Sequence, residues 1–124
     1  PRSTPKPSSA ASDVYKRQAQ GVGQALMENM VYHRDSGQLI SGSFMDYSMP
    51  RANDLCDYDV GAHPVLTKTN PLGVKGVGEA GTVGALAAVM NAINNALAAL
   101  GIEHFEMPAT PDRVWKAIDE ARSD

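Results

Sequence analysis

The stretch Gly73-Val74-Lys75-Gly76-Val77-Gly78-Glu79-Ala80-Gly81 places one carboxylate among four glycines. Glycine opens backbone conformations closed to other residues and lets a ligand approach the main chain. An apolar, helix-patterned stretch begins just after the cluster. The free N–H groups and positive dipole end of that helix can hold an anion or favour an ionised carboxylate. Glu79 sits at this junction. A single carboxylate so placed can act as a general base, which must be ionised at the working pH and close to the proton it takes. Burial would raise its pKa, whereas the helix end and Lys75 would lower it.

Read literally, Gly76, Gly78 and Gly81 also spell the GxGxxG fingerprint of dinucleotide binding, with Glu103 and Glu106 near the spacing of a ribose-binding acid. Three features oppose that reading. The preceding residues, Lys68-Thr69-Asn70-Pro71-Leu72, are not a buried apolar strand. A glutamate within the loop would face the pyrophosphate with like charge. Too few residues follow Glu106 to complete such a fold. A small dinucleotide-binding module and a non-catalytic interaction domain stand as the alternatives to an enzyme.

Other reactive residue types carry less. His33, His63 and His104 do not fall at metal-ligand spacing, and no metal ligands are assigned. Cys56 is the single cysteine, which excludes an intrachain disulfide and a CxxC metal site. Asp54, Asp57 and Asp59 lack the spacing and closing glutamate of a calcium loop. The six methionines read as packing filler.

The elements that must position Glu79 can be read from periodicity. Residues 1–18 hold three prolines, four serines and scattered basic residues. Too little apolar surface is available to offset ordering entropy, so they read as a disordered leader, or as a segment that is not native at all, since residues 9–18 look like translated adapter sequence. Residues 19–124 carry the fold. Val22, Leu26 and Met30 predict a helix over 20–32. Residues 39–47 and 64–69 have short strand patterns, the second stopped by Pro71. Leu86, Met90, Ile93, Leu97 and Leu100 share one face of a helix that Gly101 terminates. Residues 102–107 form a third strand pattern. Thr110, Pro111 and Asp112 then supply a cap, a first-turn proline and a dipole-complementing acid. The last helix is expected to bury Val114, Trp115 and Ile118. The fold class is therefore α+β, with short strands packed on about three helices.

Composition bounds the rest. The 124 residues are 43% hydrophobic and 6% aromatic, with a formal charge of −3. Acidic and basic residues are interspersed, without the basic footprint of a nucleic-acid binder. No apolar run is long enough for a membrane span. A cytoplasmic location is expected.

Four blocks, in order, resemble one family. Residues 73–82, ending Glu79-Ala80-Gly81-Thr82, closely resemble the terminal active-site motif of the xanthine oxidase family. Aldehyde oxidases and the large subunits of aerobic carbon monoxide dehydrogenase belong to the same group. Ala19-Gln20-Gly21-Val22-Gly23-Gln24-Ala25-Leu26 resembles its Q-G-x-G-Q-A-L segment. Residues 42–52 and 107–118 resemble the strand-and-turn and the C-terminal helix. The resemblance implies the C-terminal part of a molybdenum-cofactor-binding domain, in which a pterin dithiolene holds the metal. Glu79 then corresponds to the active-site base in oxidative hydroxylation of an aldehyde or N-heterocycle, or lies beside the metals in carbon monoxide oxidation. Gln20 corresponds to a pterin-side glutamine, or caps its own helix. Gly76, Val77 and Gly78 approach the cofactor through their backbone, or form a plain turn. Lys75 orients the site or is merely solvated.

The resemblance further implies molybdopterin, in some members as its cytosine dinucleotide form, with copper if the protein is a true carbon monoxide dehydrogenase. It implies FAD-binding and iron–sulfur subunits or domains as partners, a small-molecule substrate and an oligomer at full length. Family large subunits are several times longer than this chain, with most pterin-binding segments upstream of Ala19. The isolated 124 residues are expected to bind no cofactor and to be inactive.

Overall fold

A computed structural model describes residues 8–59 and 63–123. The elements, in order, are helix α1 (Ser8–Leu26), a single 3-10 turn (Ala52–Asp54), helix α2 (Ala80–Ala98) and helix α3 (Pro111–Ser123). Helices α1 and α2 pack against each other.

Helix α1 is displaced toward the N-terminus relative to the helix expected over 20–32. It ends early because the N–H groups of Met27 and Glu28 both donate to the Gly23 carbonyl, closing the last turn. The chain then turns back on itself. Ile40 N–H donates to Val31 O, His33 N–H donates to Gln38 O, and Val31 N–H donates to the buried Ser41 hydroxyl. Of the leader, residues 1–7 lie outside the described residues, and 8–18 are helical. A long-range contact accounts for that order. Tyr15 meets Tyr58 edge to face at 5.2 Å, and Thr82 Oγ1 donates to the Arg17 carbonyl.

The expected strands are absent among the described residues, which contain one isolated antiparallel bridge, Tyr32 with Leu39. A strand is stable only when a neighbour takes its outward N–H and C=O groups and its apolar face is covered. Residues 39–47 meet a neighbour only at their start, where Leu39 bridges Tyr32 and Ile40 N–H reaches Val31 O, and Phe44 and Met45 are 83% and 94% exposed. Residues 64–69 leave Val65 and Leu66 exposed as well. Residues 102–107 are held instead by a helix side chain. Asn94 Oδ1 accepts the Phe105 N–H at 2.7 Å, and Asn94 Nδ2 donates to Phe105 O at 3.3 Å and to Met90 O at 2.9 Å. One amide takes the place of a neighbouring strand.

The helix after the glycines forms as its periodicity predicts. Gly101 adopts φ +79°, and Gly101 N–H and Ile102 N–H return to Ala98 O and Leu97 O. These bonds satisfy carbonyls that a helix end otherwise leaves open. The core centres on Leu97, Phe105 and Ala109, with Leu26, Met90, Ile93, Ile102, Val114, Ala117 and Ile118 around it. Burying a leucine or phenylalanine fully contributes roughly 1.5–3 kcal/mol, so Leu97 and Phe105 anchor the α2–α3 end. Trp115 departs from expectation at 66% exposed. At 100° per residue it falls outside the arc of Arg113, Val114, Ala117, Ile118 and Ala121, which are all half-buried. Arg113 lies over the Phe105 ring, 5.4 Å from its centroid, and donates to Pro108 O.

Candidate active site

Glu79 is the N-cap residue of α2, with φ −115° and ψ −1°, and its side chain does not cap the helix. It is exposed and makes no side-chain hydrogen bond or ion pair with any described residue. Its own carbonyl accepts Val83 N–H as the first helical bond. The sequence thus delivers a carboxylate to a helix N-terminus and commits it to nothing there.

The glycine segment before it is equally bare. Residues 74–80 are all exposed. A β-carbon placed on Gly76 or Gly78 would meet nothing within 4 Å. Ala80 N–H donates to Val77 O, and no described hydrogen bond engages the N–H of Gly76, Val77 or Gly78. Upstream, Asn70 organises the turn: its Oδ1 accepts the N–H groups of Leu72 and Val74, and its Nδ2 donates to Val74 O. Sequence reasoning passed over Asn70. The Asn-Pro pair that marks turn initiation was the available signal.

Gly21 and Gly81 have a different task from the loop glycines. A β-carbon on Gly21 would lie 2.6 Å from the Thr82 carbonyl oxygen, and one on Gly81 would lie 2.7 Å from the Val14 carbonyl oxygen. Each helix is bare where the other crosses it, so α1 fixes the first turn of α2 and with it Glu79. The GxGxxG alternative loses its footing here. No strand precedes the loop among the described residues, and its third glycine packs against α1.

Gln20 stands one residue from this crossing. It is exposed, and its Oε1 accepts from Arg17 Nη1 at 2.9 Å. Its neighbour Gln18, which the sequence reading set aside with the leader, has a buried Oε1 without a hydrogen-bond partner. Lys75 is exposed. The crossing thus brings the Gln20 segment and the Glu79 segment onto adjoining helices, while His33 and His104 make their contacts elsewhere. His104 lies 3.9 Å from Glu106, and His33 Nδ1 bonds within its own turn to Ser36. Cys56 is exposed. A groove lined by Met27, Tyr47, Met49, Pro50 and Arg51 includes none of the predicted site residues.

The donor set can be tested against the implied cofactor. Among the described residues no group of three or more His, Cys, Asp or Glu side chains could hold a metal ion. What the site offers is one carboxylate, a run of open backbone N–H groups and an orphaned amide oxygen on Gln18. That set fits a cofactor that carries its own metal ligands and needs from the protein only hydrogen bonds and a base.

Comparison with known proteins points the same way. The profile of the molybdopterin cofactor-binding domain matches residues 17–56. The chain is 38% identical over 98 residues to the nicotine 6-hydroxylase large subunit of Paenarthrobacter nicotinovorans, covering 79% of this chain and 12% of that protein. The crystal structure of quinoline 2-oxidoreductase from Pseudomonas putida 86 superimposes with a TM-score of 0.83 at 35% identity, over 90% of this chain and 14% of that one. Over most of its length the chain resembles part of the large subunits of the molybdopterin-binding family.

Members of this family are molybdenum-dependent oxidoreductases, among them a Cu,Mo-carbon monoxide dehydrogenase whose structure superimposes with a TM-score of 0.84 at 28% identity, again over 90% of this chain and 14% of that one. The chain spans between 12% and 15% of the length of the curated family relatives it matches. Among the described residues, no helix is long and apolar enough to cross a membrane.

Proposed function

We propose that the chain is the C-terminal portion of a molybdenum hydroxylase large subunit and that Glu79 is its active-site base. The observation that carries this reading is the uncommitted Glu79 carboxylate at the start of α2, behind a segment of bare backbone. The reaction is oxidative hydroxylation of an electron-poor carbon, as in an aldehyde or N-heterocycle, or oxidation of carbon monoxide.

When bound, the molybdenum cofactor supplies the two-electron redox chemistry. The chain's own residues do the rest. The N–H groups of Gly76, Val77 and Gly78 donate to it, and Gln20 offers a side-chain amide that can both donate and accept. Glu79 Oε accepts the proton released as the substrate carbon gains oxygen. The α2 N-terminus, fixed by the Gly21–Gly81 crossing, keeps that carboxylate in one place. Positioning of this kind is what makes a base effective.

The cofactor carries a cytosine dinucleotide extension in the finer reading, with copper added if the subunit oxidises carbon monoxide. FAD-binding and iron–sulfur subunits or domains take up the electrons, in a cytoplasmic oligomer. The isolated 124 residues are inactive, because Glu79 supplies a base and no metal ligand. The test is Glu79→Gln in the full-length subunit. Turnover should fall by about 10²–10⁴-fold, the usual loss for a positioned base, with molybdenum content unchanged. Full turnover in that variant would remove Glu79 from the mechanism.

A further inference from the structure

We propose that Asn70 is a positioning residue for the active-site loop, acting through the backbone of Val74. This inference rests on the reading of Glu79 as the base and adds a residue that the family resemblance did not single out.

Asn70 is half-buried, and its side-chain amide and backbone carbonyl are engaged in one turn. Its Oδ1 accepts from Leu72 N–H at 3.1 Å and from Val74 N–H at 3.2 Å. Its Nδ2 donates to Val74 O at 2.9 Å. Its own carbonyl accepts Gly73 N–H at 3.1 Å. The side chain therefore grips both the N–H and the C=O of Val74, as a neighbouring strand would. Two further features fix the turn. Gly73 O accepts Thr67 N–H, and Gly73 takes φ +66° with Leu66 so close that a β-carbon would lie 3.0 Å from Leu66 Cβ.

Beyond Val74 the support stops. Residues 75–79 are exposed and gain only the Ala80 N–H to Val77 O bond before α2 begins. This short, glycine-rich span runs between two anchors, the Asn70 turn at one end and the α1–α2 crossing at the other. Loosening either anchor lets the span wander, and a small misplacement of a reacting group can cost on the order of 10²-fold in rate. Asn70 thus sets where the backbone of Gly76, Val77 and Gly78 begins its approach to the cofactor.

The experiment compares Asn70→Ala and Asn70→Asp with wild type in the full-length, cofactor-loaded subunit. Hydrogen exchange is followed in peptides covering residues 70–79 and 84–98, together with kcat, KM and molybdenum content. Asn70→Ala removes all three side-chain bonds. It should speed exchange over 70–79 alone and lower kcat by roughly 10–100-fold, the range for residues that orient a metal site from behind, with KM little changed. Asn70→Asp keeps an acceptor for the two N–H groups and loses the donor, so its exchange and kcat should fall between. Wild-type exchange and turnover in Asn70→Ala overturn the proposal. Should that variant also loosen 84–98, Asn70→Asp decides, and wild-type values for it overturn the proposal equally. Glu79→Gln, run alongside, separates the two readings. Loss of turnover there with a normal Asn70→Ala sinks only the positioning role. Full turnover there with a loosened Asn70→Ala loop sinks the base.

Discussion

Gly81, at the start of α2, lies so close to the Val14 carbonyl that a β-carbon on it would stand 2.7 Å from that oxygen. The mirror contact, Gly21 against the Thr82 carbonyl at 2.6 Å, uses the other helix. Both obstacles are backbone atoms, which cannot rotate away as a side chain can. Gly81→Ala and Gly21→Ala should each destabilise the chain by about 1–3 kcal/mol, the usual cost of overpacking. Gly84→Ala is the control. It lies inside α2 with nothing within 4 Å of its β-carbon, and should stabilise by roughly 0.5–1 kcal/mol through helix propensity. Denaturant unfolding of the three variants checks the contrast. Equal effects at Gly81 and Gly84 would contradict the close crossing.

Asn94 is the second point where one side chain holds distant segments together. Its amide serves Phe105 N–H, Phe105 O and Met90 O. Asn94→Ala leaves the Phe105 N–H without its partner beside the core, and an unpaired buried donor costs about 1–3 kcal/mol. Asn95→Ala, at an exposed neighbouring position, should change stability by less than about 0.5 kcal/mol. Thermal unfolding of the pair distinguishes a structural amide from a merely polar helix face.

The pH dependence has one sign at each end. A hydrogen bond from Thr110 first, then its own backbone and Arg113, hold Asp112 below its ordinary value of 3.8. A lowered carboxylate contributes stability above its unfolded pKa and loses it as pH falls through the folded value. Tyr47 is shifted the other way. Its hydroxyl donates to Glu28 Oε2 at 2.6 Å, and that bond, then burial, then the Glu28 charge, raise it above 10.0. The raised phenol contributes stability below its unfolded pKa and loses it as pH rises through the folded value. Thr110→Ala should move the Asp112 midpoint upward and Glu28→Gln should move the Tyr47 midpoint downward, both read by NMR titration. An unmoved midpoint in either variant would exclude the named hydrogen bond as its main cause.

What the sequence revealed and what it hid follow from how far each signal reaches. The α2 start, its Gly101 stop and the Thr110-Pro111 entry to α3 were legible because caps and helical periodicity are local. Glu79 was legible as a junction residue for the same reason. The expected strands are not seen among the described residues: 39–47 and 102–107 have apolar residues at strand spacing, but pairing depends on a neighbour that the pattern cannot supply. Asn94 fills that role for Phe105 from eleven residues away. Gly81 fits the third place of a dinucleotide fingerprint as well as a helix crossing, since a helix crossing and a ligand contact demand the same missing side chain. The N-terminal half of helix α1 was not legible because its partners are distant in sequence: Tyr15 packs on Tyr58, and the Arg17 carbonyl accepts from Thr82 Oγ1.

The most direct test of the Glu79 assignment is rapid mixing of substrate with the full-length, cofactor-loaded subunit, following reduction of the cofactor in wild type and in Glu79→Gln. The base reading predicts reduction slower by about 10²–10⁴-fold in the variant, with molybdenum content and the substrate dissociation constant unchanged. Reduction at the wild-type rate would contradict it, and Glu79 would then be only the cap of a helix.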